Sequence, residues 1–416
     1  MKPLESFQKS GFSLFIYYFF AYVAMAPFTA FLSTYYHEIG LSASQIGILS
    51  GIGPIVVIIG QFIWGRLADR AKYKNTVLLI ATLATALAVY AFSLDPSFEY
   101  LLLINIAYNF TNCSIIQLSD SIALEYASTN NLRFSIIRIG GSVGFACCTL
   151  TVGFLLTGDA GKMFALDAAF ILISAVSLLF IPRISGAKRD RVKSNYRDLF
   201  KDRNLVILLI FNFVIYTGYF FNMAFYPVLM AQHGATSMHI GVAQTVSALF
   251  ELPFLLMSQR IINKIGLRAT LLLSCCAFAV RWALFGTLQS AWPLVFVCVL
   301  HGLGHIVVSY CTSSYINKTV AQSLRASGQT LLGMVDYGFS KCFASLVGGL
   351  LADIWGVGTV YLCCSGLAMA AMMILLIFLP KLKIRIYEKR SLSAPFFYCT
   401  CTQTIISLSP RLAKAK

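Results

Sequence analysis

Charge is scarce in this chain, and negative charge scarcest. Of 416 residues 12% are charged, with 16 Asp and Glu against 32 Lys and Arg, while 58% are hydrophobic. So few charges, together with a positive mean hydropathy, exclude a soluble domain folded around one core and indicate a membrane-embedded chain. There are only 5 histidines, and no Cys/His spacing suits zinc. The 12 cysteines fall mostly inside apolar segments, three times as neighbours (Cys147 with Cys148, Cys275 with Cys276, Cys363 with Cys364), where they read as small packing residues rather than a disulfide framework. Cys399 and Cys401 in the tail are too few for a metal site. No nucleophile and base set, phosphate loop or cofactor motif occurs, so neither an enzyme nor a bound cofactor is expected.

What the chain has in abundance is apolar sequence in long runs. About 20 apolar residues cross the roughly 30 Å hydrocarbon layer as a helix. Twelve stretches qualify, starting near Gly11, Ser44, Asn75, Phe98, Phe134, Met163, Leu205, Met238, Arg268, Trp292, Gly328 and Val357. Of the 32 Lys and Arg, all but Arg138, Lys162, Arg281 and Lys341 fall at the two ends of the chain or in alternate gaps between these stretches. Basic loops are retained in the cytoplasm, so the alternation predicts an all-α polytopic protein of the plasma (inner) membrane with both termini cytoplasmic. The net charge of +16 is thereby a topology signal dispersed over many loops. It points to contact with anionic lipid and not to nucleic acid. The first apolar segment has no small-residue cleavage site after it and reads as helix 1 rather than a removed signal peptide.

The longest polar segment, with eight basic and three acidic residues, runs roughly from Pro182 to Asn204. It divides the chain into an N-terminal six-helix half (residues 1–182), a linker (183–204), a C-terminal six-helix half (205–380) and a basic tail (381–416). The halves echo each other at an offset near 195 to 200 residues. Tyr17, Pro27 and Phe28 align with Tyr216, Pro227 and Val228, Asp69-Arg70 with Asn263-Lys264, and Val152-Gly153-Phe154-Leu155-Leu156 with Val347-Gly348-Gly349-Leu350-Leu351. Parallel repeats of this kind occur in one class of secondary transporter, whose solute site lies between the halves near the midplane. A monomer suffices for such an arrangement.

After helix 2 the chain reads Gly65-Arg66-Leu67-Ala68-Asp69-Arg70-Ala71-Lys72-Tyr73-Lys74, which resembles the signature between helices 2 and 3 of the major facilitator superfamily. Gly65 permits close helix approach, Asp69 can accept from a helix N-terminus, and Arg70 with its basic neighbours can hold a cytoplasmic gate. Several segments are further similar to the phenylpropionate permease group and the related lactose permease type of oligosaccharide:proton symporter. They are Leu41 to Gly47 leading to Trp64-Gly65, Asp120, Arg138 to Phe145, Glu251 with Pro253, Arg281-Trp282, Leu300-His301-Gly302 and Tyr337-Gly338. One departure is Gly140, where the group tends to carry Trp. The resemblance implies a transporter that moves a small organic solute with protons, the solute being an aromatic carboxylate such as 3-phenylpropionate or a sugar. A proton-driven efflux antiporter for drugs or metabolites is the alternative.

An ionised side chain at mid-bilayer costs at least about 2.5–3.5 kcal/mol, so such residues pair, titrate or face a cavity. Six stand out: Asp120, Arg138, Glu251, Arg281, Asp336 and Lys341. Asp120 lies on one helical face with Asn109 and Asn112 and can pair with Arg138, whose fork suits an anionic or polar solute. Glu251 shares a stripe with Gln244, Ser247 and Ser258, and movement of Arg281 toward or away from it would switch it between holding and releasing a proton. His301 is a candidate relay, with His305 one turn on. Asp336 and Lys341 lie about 140° apart on one helix and each needs a partner elsewhere. Tyr17, Tyr18, Tyr22, Tyr216, Tyr219, Phe220 and Tyr226, with Asn212 and Asn222, enrich helices 1 and 7. Tyr18, Tyr219 and Asn222, together with Asp120, Arg138 and Asn109, are the expected solute contacts.

Overall fold

The computed structural model describes residues 11–130, 132, 134–156, 161–185, 196–321 and 324–379. The tail expected to be basic (381–416), Cys399 and Cys401, Lys2 and Lys9, Arg133 and residues 186–195 of the expected linker lie outside these. Among the described residues twelve helices cross the molecule. In the first half α1 comprises Phe12–Val23 and Ala26–Glu38, followed by α2 (Ala43–Arg70), α3 (Lys74–Ala91), α4 (Phe98–Asn112 and Ile115–Thr129), α5 (Phe134–Leu155) and α6 (Lys162–Leu178). In the second, α7 is Arg203–Gln232, α8 Ser237–Ile265 and α9 Leu267–Thr287, and α12 is Val357–Phe378. Both α10 and α11 are broken. The first runs through Ala291–Val297, a 3₁₀ segment Cys298–Leu303 and His305–Thr319, the second through Arg325–Gly333, a π segment Met334–Ser340 and Lys341–Trp355.

Nine of the described helices are long and apolar enough by themselves to cross a membrane. The other three are α6, one residue short of that length, and α8 and α11, which carry Glu251, Asp336 and Lys341.

The halves repeat each other locally as well as globally. Helices α1 and α7 both end in a glycine with positive φ, Gly40 at 80° and Gly234 at 74°, a conformation that only glycine adopts freely. Two residues on, Ser42 and Thr236 start α2 and α8, and Gln45 and His239 reach back to their N–H groups at 2.9 and 3.2 Å, closing each helix start. Packing follows the same duplication: α1 lies on α5 as α7 lies on α11, α3 on α6 as α9 on α12, and α2 on α4 as α8 on the 3₁₀ segment of α10.

Between halves, α2 packs on α11, α5 on α8 and α1 on α7. The first two contacts are tight at the end opposite the basic loops. A Cβ on Gly47 would collide with the Ser345 carbonyl and Gly349, and one on Gly153 would lie 3.0 Å from the Ser237 carbonyl and 3.2 Å from Gly241. Gly47 faces Gly349 as Gly241 faces Gly153, so each crossing is the repeat image of the other. Asp353 at the end of α11 adds a clamp by accepting from the Ala43 and Ser44 amides at 2.7 and 2.8 Å, a carboxylate on the positive end of α2. At the basic end nothing stands within 4 Å of where a Gly65 Cβ would be, and Asp69 and Arg70 are exposed.

Candidate functional site

Between the halves lies a cavity of about 350 Å³, lined from α1, α2, α4, α7 and α11. Thr29 and Met223 also line a smaller recess of about 40 Å³, walled by α1, α5 and α7 to α10. The two spaces are therefore neighbours, one broad and in contact with the N-terminal half, the other narrow and set mostly in the C-terminal half.

Two residues that line the recess, Arg281 and His301, form a buried polar cluster with Glu251. Arg281 Nη1 donates to His301 Nδ1 at 2.6 Å, which leaves the His301 proton on Nε2. That nitrogen lies 3.0 Å from Glu251 Oε1, near enough for an ion pair but off the line of a hydrogen bond, so Oε1 has no hydrogen-bond partner. Arg281 Nε also lacks one, and its guanidinium carbon stands 5.0 Å from the Phe285 ring centre. Glu251, Arg281 and His301 are 4%, 3% and 6% exposed, so a charge or proton moving among them is felt across a low-dielectric space. The sequence brings Glu251 and Arg281 near each other; the structure places His301 between them. Gly302 makes this possible, since a Cβ there would strike the Phe250 carbonyl, and α10, loosened into its 3₁₀ segment, can press against α8.

Tyr219 and Asn222, on consecutive turns of α7, both line the recess. Tyr219 stacks on His305 at 4.4 Å and 17°, and Asn222 Oδ1 accepts from Tyr361 at 3.2 Å. His305 Nε2 meets the Tyr337 hydroxyl at 3.0 Å, and Tyr337 belongs to the wall of the broad cavity.

Asn109 lines the broad cavity with Asn105, Asn112, Gln61 and Gln117. Asp120, Arg138 and Tyr18 form a cluster of their own, apart from the lining of either space. Arg138 Nη1 donates to both Asp120 oxygens at 2.5 and 2.6 Å, and Tyr18 donates to Oδ1 at 2.6 Å. The bond is made by one nitrogen rather than by the whole fork, and it satisfies the carboxylate from within the protein. Removing one partner of such a buried pair costs about 3–5 kcal/mol, whereas removing both costs far less. Asp120→Asn is thus expected to lower stability to unfolding in mixed micelles strongly, and Asp120→Asn/Arg138→Gln to recover most of the loss.

Asp336 finds its partner in α7: Asn212 Nδ2 donates to both of its oxygens at 2.9 and 3.2 Å. Lys341 lies at the far end of the π segment, which changes the angle between the two from that of a regular helix. Its Nζ is 6.0 Å from the Phe220 ring centre, and the side chain lines the broad cavity. Sequence reasoning passed over Asp167 on α6, buried with no hydrogen-bond partner for either oxygen among the described residues, although a carboxylate within an apolar stretch was a visible signal. The carboxamides of Gln61, Asn105 and Gln117 were passed over as well. No group of three potential metal ligands occurs among the described residues.

Comparison with known proteins gives this geometry a family. The model of the MFS_1 like family matches residues 12–363. Among similar proteins, a maltose permease of Geobacillus stearothermophilus is 28% identical over 89% of this chain and 94% of its own length. A probable 3-phenylpropionic acid transporter of Escherichia coli (strain K12) is 24% identical over 82% of this chain and 90% of its own length. The crystal structure of the nucleoside transporter NupG superposes with a TM-score of 0.77 at 20% identity, covering 88% of this chain and 98% of that one. The chain, with its twelve helices in two repeated halves, belongs to the MFS_1 like family of the major facilitator superfamily and is a membrane transporter of small solutes, not an enzyme.

Proposed function

We propose that this protein is a proton-coupled symporter that imports a small organic solute across the plasma (inner) membrane by alternating access. The observation that carries the reading is the buried set Glu251, His301 and Arg281, of which His301 and Arg281 line a recess that adjoins a cavity between the halves. A carboxylate that can take a proton, a neutral imidazole beside it and a guanidinium behind are the parts by which protonation can be tied to solute binding. With Glu251 ionised the set is neutral overall. With Glu251 protonated Arg281 is no longer balanced, and the recess turns electropositive toward whatever occupies it.

By the charge rule the basic end is cytoplasmic, so the glycine crossings and Asp353 seal the outer end and the conformation is inward-open. Gly65, Asp69 and Arg70 then form the inner gate, disengaged in this state. Asn109, Tyr219 and Asn222 are assigned to the solute. Asp120, Arg138 and Tyr18 are assigned to fixing α1, α4 and α5 against each other. Maltose and 3-phenylpropionic acid, the solutes named in two relatives, define a range from sugar to organic acid. A selective polar lining fits such solutes better than the amphiphilic substrates of an efflux antiporter.

In proteoliposomes, uptake of a transported sugar or acid should alkalinise a weakly buffered external medium, and an imposed inward proton gradient should raise uptake. Uptake with no pH change would exclude proton coupling, and dye extrusion driven by protons would establish the antiporter instead.

A further inference from the structure

We propose that the narrow recess is an anion subsite, which takes the carboxylate head of an organic monoanion on Arg281 while the body of the solute lies in the broad cavity, and that this anion replaces the charge Glu251 gives up on taking a proton. The proposal rests on the symport reading for its coupling and deepens it by naming the class of solute.

The guanidinium of Arg281 is used unevenly. Its Nη1 donates to His301 Nδ1 at 2.6 Å. Its Nη2 reaches the Cys298 sulfur at 4.0 Å, a weak acceptor, and its Nε has no hydrogen-bond partner among the described residues. Nε and Nη2 together make the side edge of the guanidinium, the edge on which a carboxylate forms two parallel charge-assisted hydrogen bonds. Arg281 and Cys298 both line the recess, with Asn222, Gln244 and Ser247 as further polar groups. Thr29 and Met223 line the recess and the broad cavity alike, so a solute with its head in the one can keep its body in the other.

Charge then selects the solute. Arg281 is 3% exposed, and the carboxylate whose field reaches it is Glu251, across the His301 ring. The other titratable groups facing these three are imidazole, thiol and phenol: His305 and Cys298 on α10, Tyr226 on α7, Tyr337 on α11 and Tyr361 on α12. When Glu251 takes a proton, Arg281 loses the carboxylate that balances it, and a buried charge without its partner is penalised in low-dielectric surroundings. A monoanion on the side edge restores the balance. A neutral solute does not, so it gains nothing from the proton it would have to travel with. A phosphate ester brings most of a second negative charge near neutral pH, more than one proton and one guanidinium offset. A proton and a monoanion thus enter and leave as a pair, and each cycle moves no net charge across the membrane.

The test is equilibrium binding to the purified full chain in detergent near neutral pH, with two pairs of probes that differ in charge but hardly in shape: D-glucuronate with D-glucuronamide, and 3-phenylpropionate with 3-phenylpropionamide. In at least one pair the acid is expected to bind at least about tenfold tighter than its amide. Arg281→Gln should bring that preference down to about one, and Arg281→Lys, which keeps the charge without the two-pronged edge, should retain part of it and serve as the folding control. Glu251→Gln, which stands in for the protonated carboxyl, should tighten binding of the acid about tenfold more and leave the amide unchanged. An acid preference in neither pair, a preference that survives Arg281→Gln, or an acid affinity unmoved by Glu251→Gln would each overturn the proposal. In proteoliposomes, uptake of the acid under a pH gradient should be indifferent to a potassium diffusion potential set with valinomycin, and uptake that follows the potential would overturn it as well. Failure of the symport reading would appear separately, as uptake of the acid without alkalinisation while the acid preference and its dependence on Arg281 stand.

Discussion

Glu251→Gln is expected to abolish uphill accumulation while leaving exchange of solute across the membrane intact. A glutamine keeps the size and hydrogen-bonding capacity of the protonated carboxyl but can neither bind nor release a proton. In the wild type, a pH gradient of one unit is worth about 1.4 kcal/mol per proton and supports about a tenfold gradient of a solute moved with one proton. In the variant the internal-to-external ratio should settle near one at every imposed gradient. Counterflow between labelled and unlabelled solute should continue at a rate within severalfold of wild type, because the loaded carrier now resembles the permanently protonated form. The pairing of two assays decides the matter: loss of both would make Glu251 a structural or solute-binding group, and retention of accumulation would remove it from the coupling set.

His301→Gln should give an intermediate result. Its ring separates Arg281 from Glu251, and a carboxamide can accept from the guanidinium but cannot relay a proton. Accumulation should be slowed more than its final level is lowered, since the relay alters the rate of protonation and not the gradient.

The helices were legible because hydrocarbon imposes a length and the basic loops a side. The segments read from near Phe98 and Val357 begin at those residues in the structure. What sequence could not give is where α10 and α11 break. The 3₁₀ segment Cys298–Leu303 and the π segment Met334–Ser340 depend on how α10 meets α8 and how α11 meets α7. Glu251, Arg281 and His301 were conspicuous as polar groups in apolar sequence, yet the order in which they touch follows from the absent side chain of Gly302. Asp120 and Arg138 could be seen as partners but not as remote from the cavity lining. Carboxamides such as Gln61 and Gln117 carry no charge that must be paired within the membrane, so nothing in the sequence singled them out as cavity-facing. Asp167, five residues after Lys162 in a 17-residue helix, was a visible carboxylate in an apolar stretch, but only the fold shows that it is buried.

Gly47→Trp should hold the transporter open at the end that is now sealed. No rotamer of an indole fits where even a methyl would meet the Ser345 carbonyl and Gly349; α2 and α11 must part, or the chain must find another packing. Overpacking of a close contact costs about 1–3 kcal/mol, and more where both surfaces are backbone. At about 3 kcal/mol the closed population falls by about two orders of magnitude, and turnover falls with it. Spin labels at Ser44 and Trp355 should move apart by several ångströms in Gly47→Trp, and uptake should drop to background. The Asp353 clamp offers a scale for comparison. Its two hydrogen bonds to Ala43 and Ser44 lie at the surface, where a carboxylate on a helix N-terminus contributes about 0.3–1 kcal/mol. Asp353→Asn should therefore change the label distances little and uptake by severalfold at most. Ile58→Trp, on a 58% exposed position of the same helix, should do neither. If Gly47→Trp transported normally, the glycine crossing would be an incidental contact and closure of that end would have to be carried by the α5 and α8 pair alone. The repeat relation between the two crossings makes that outcome testable in turn through Gly241→Trp.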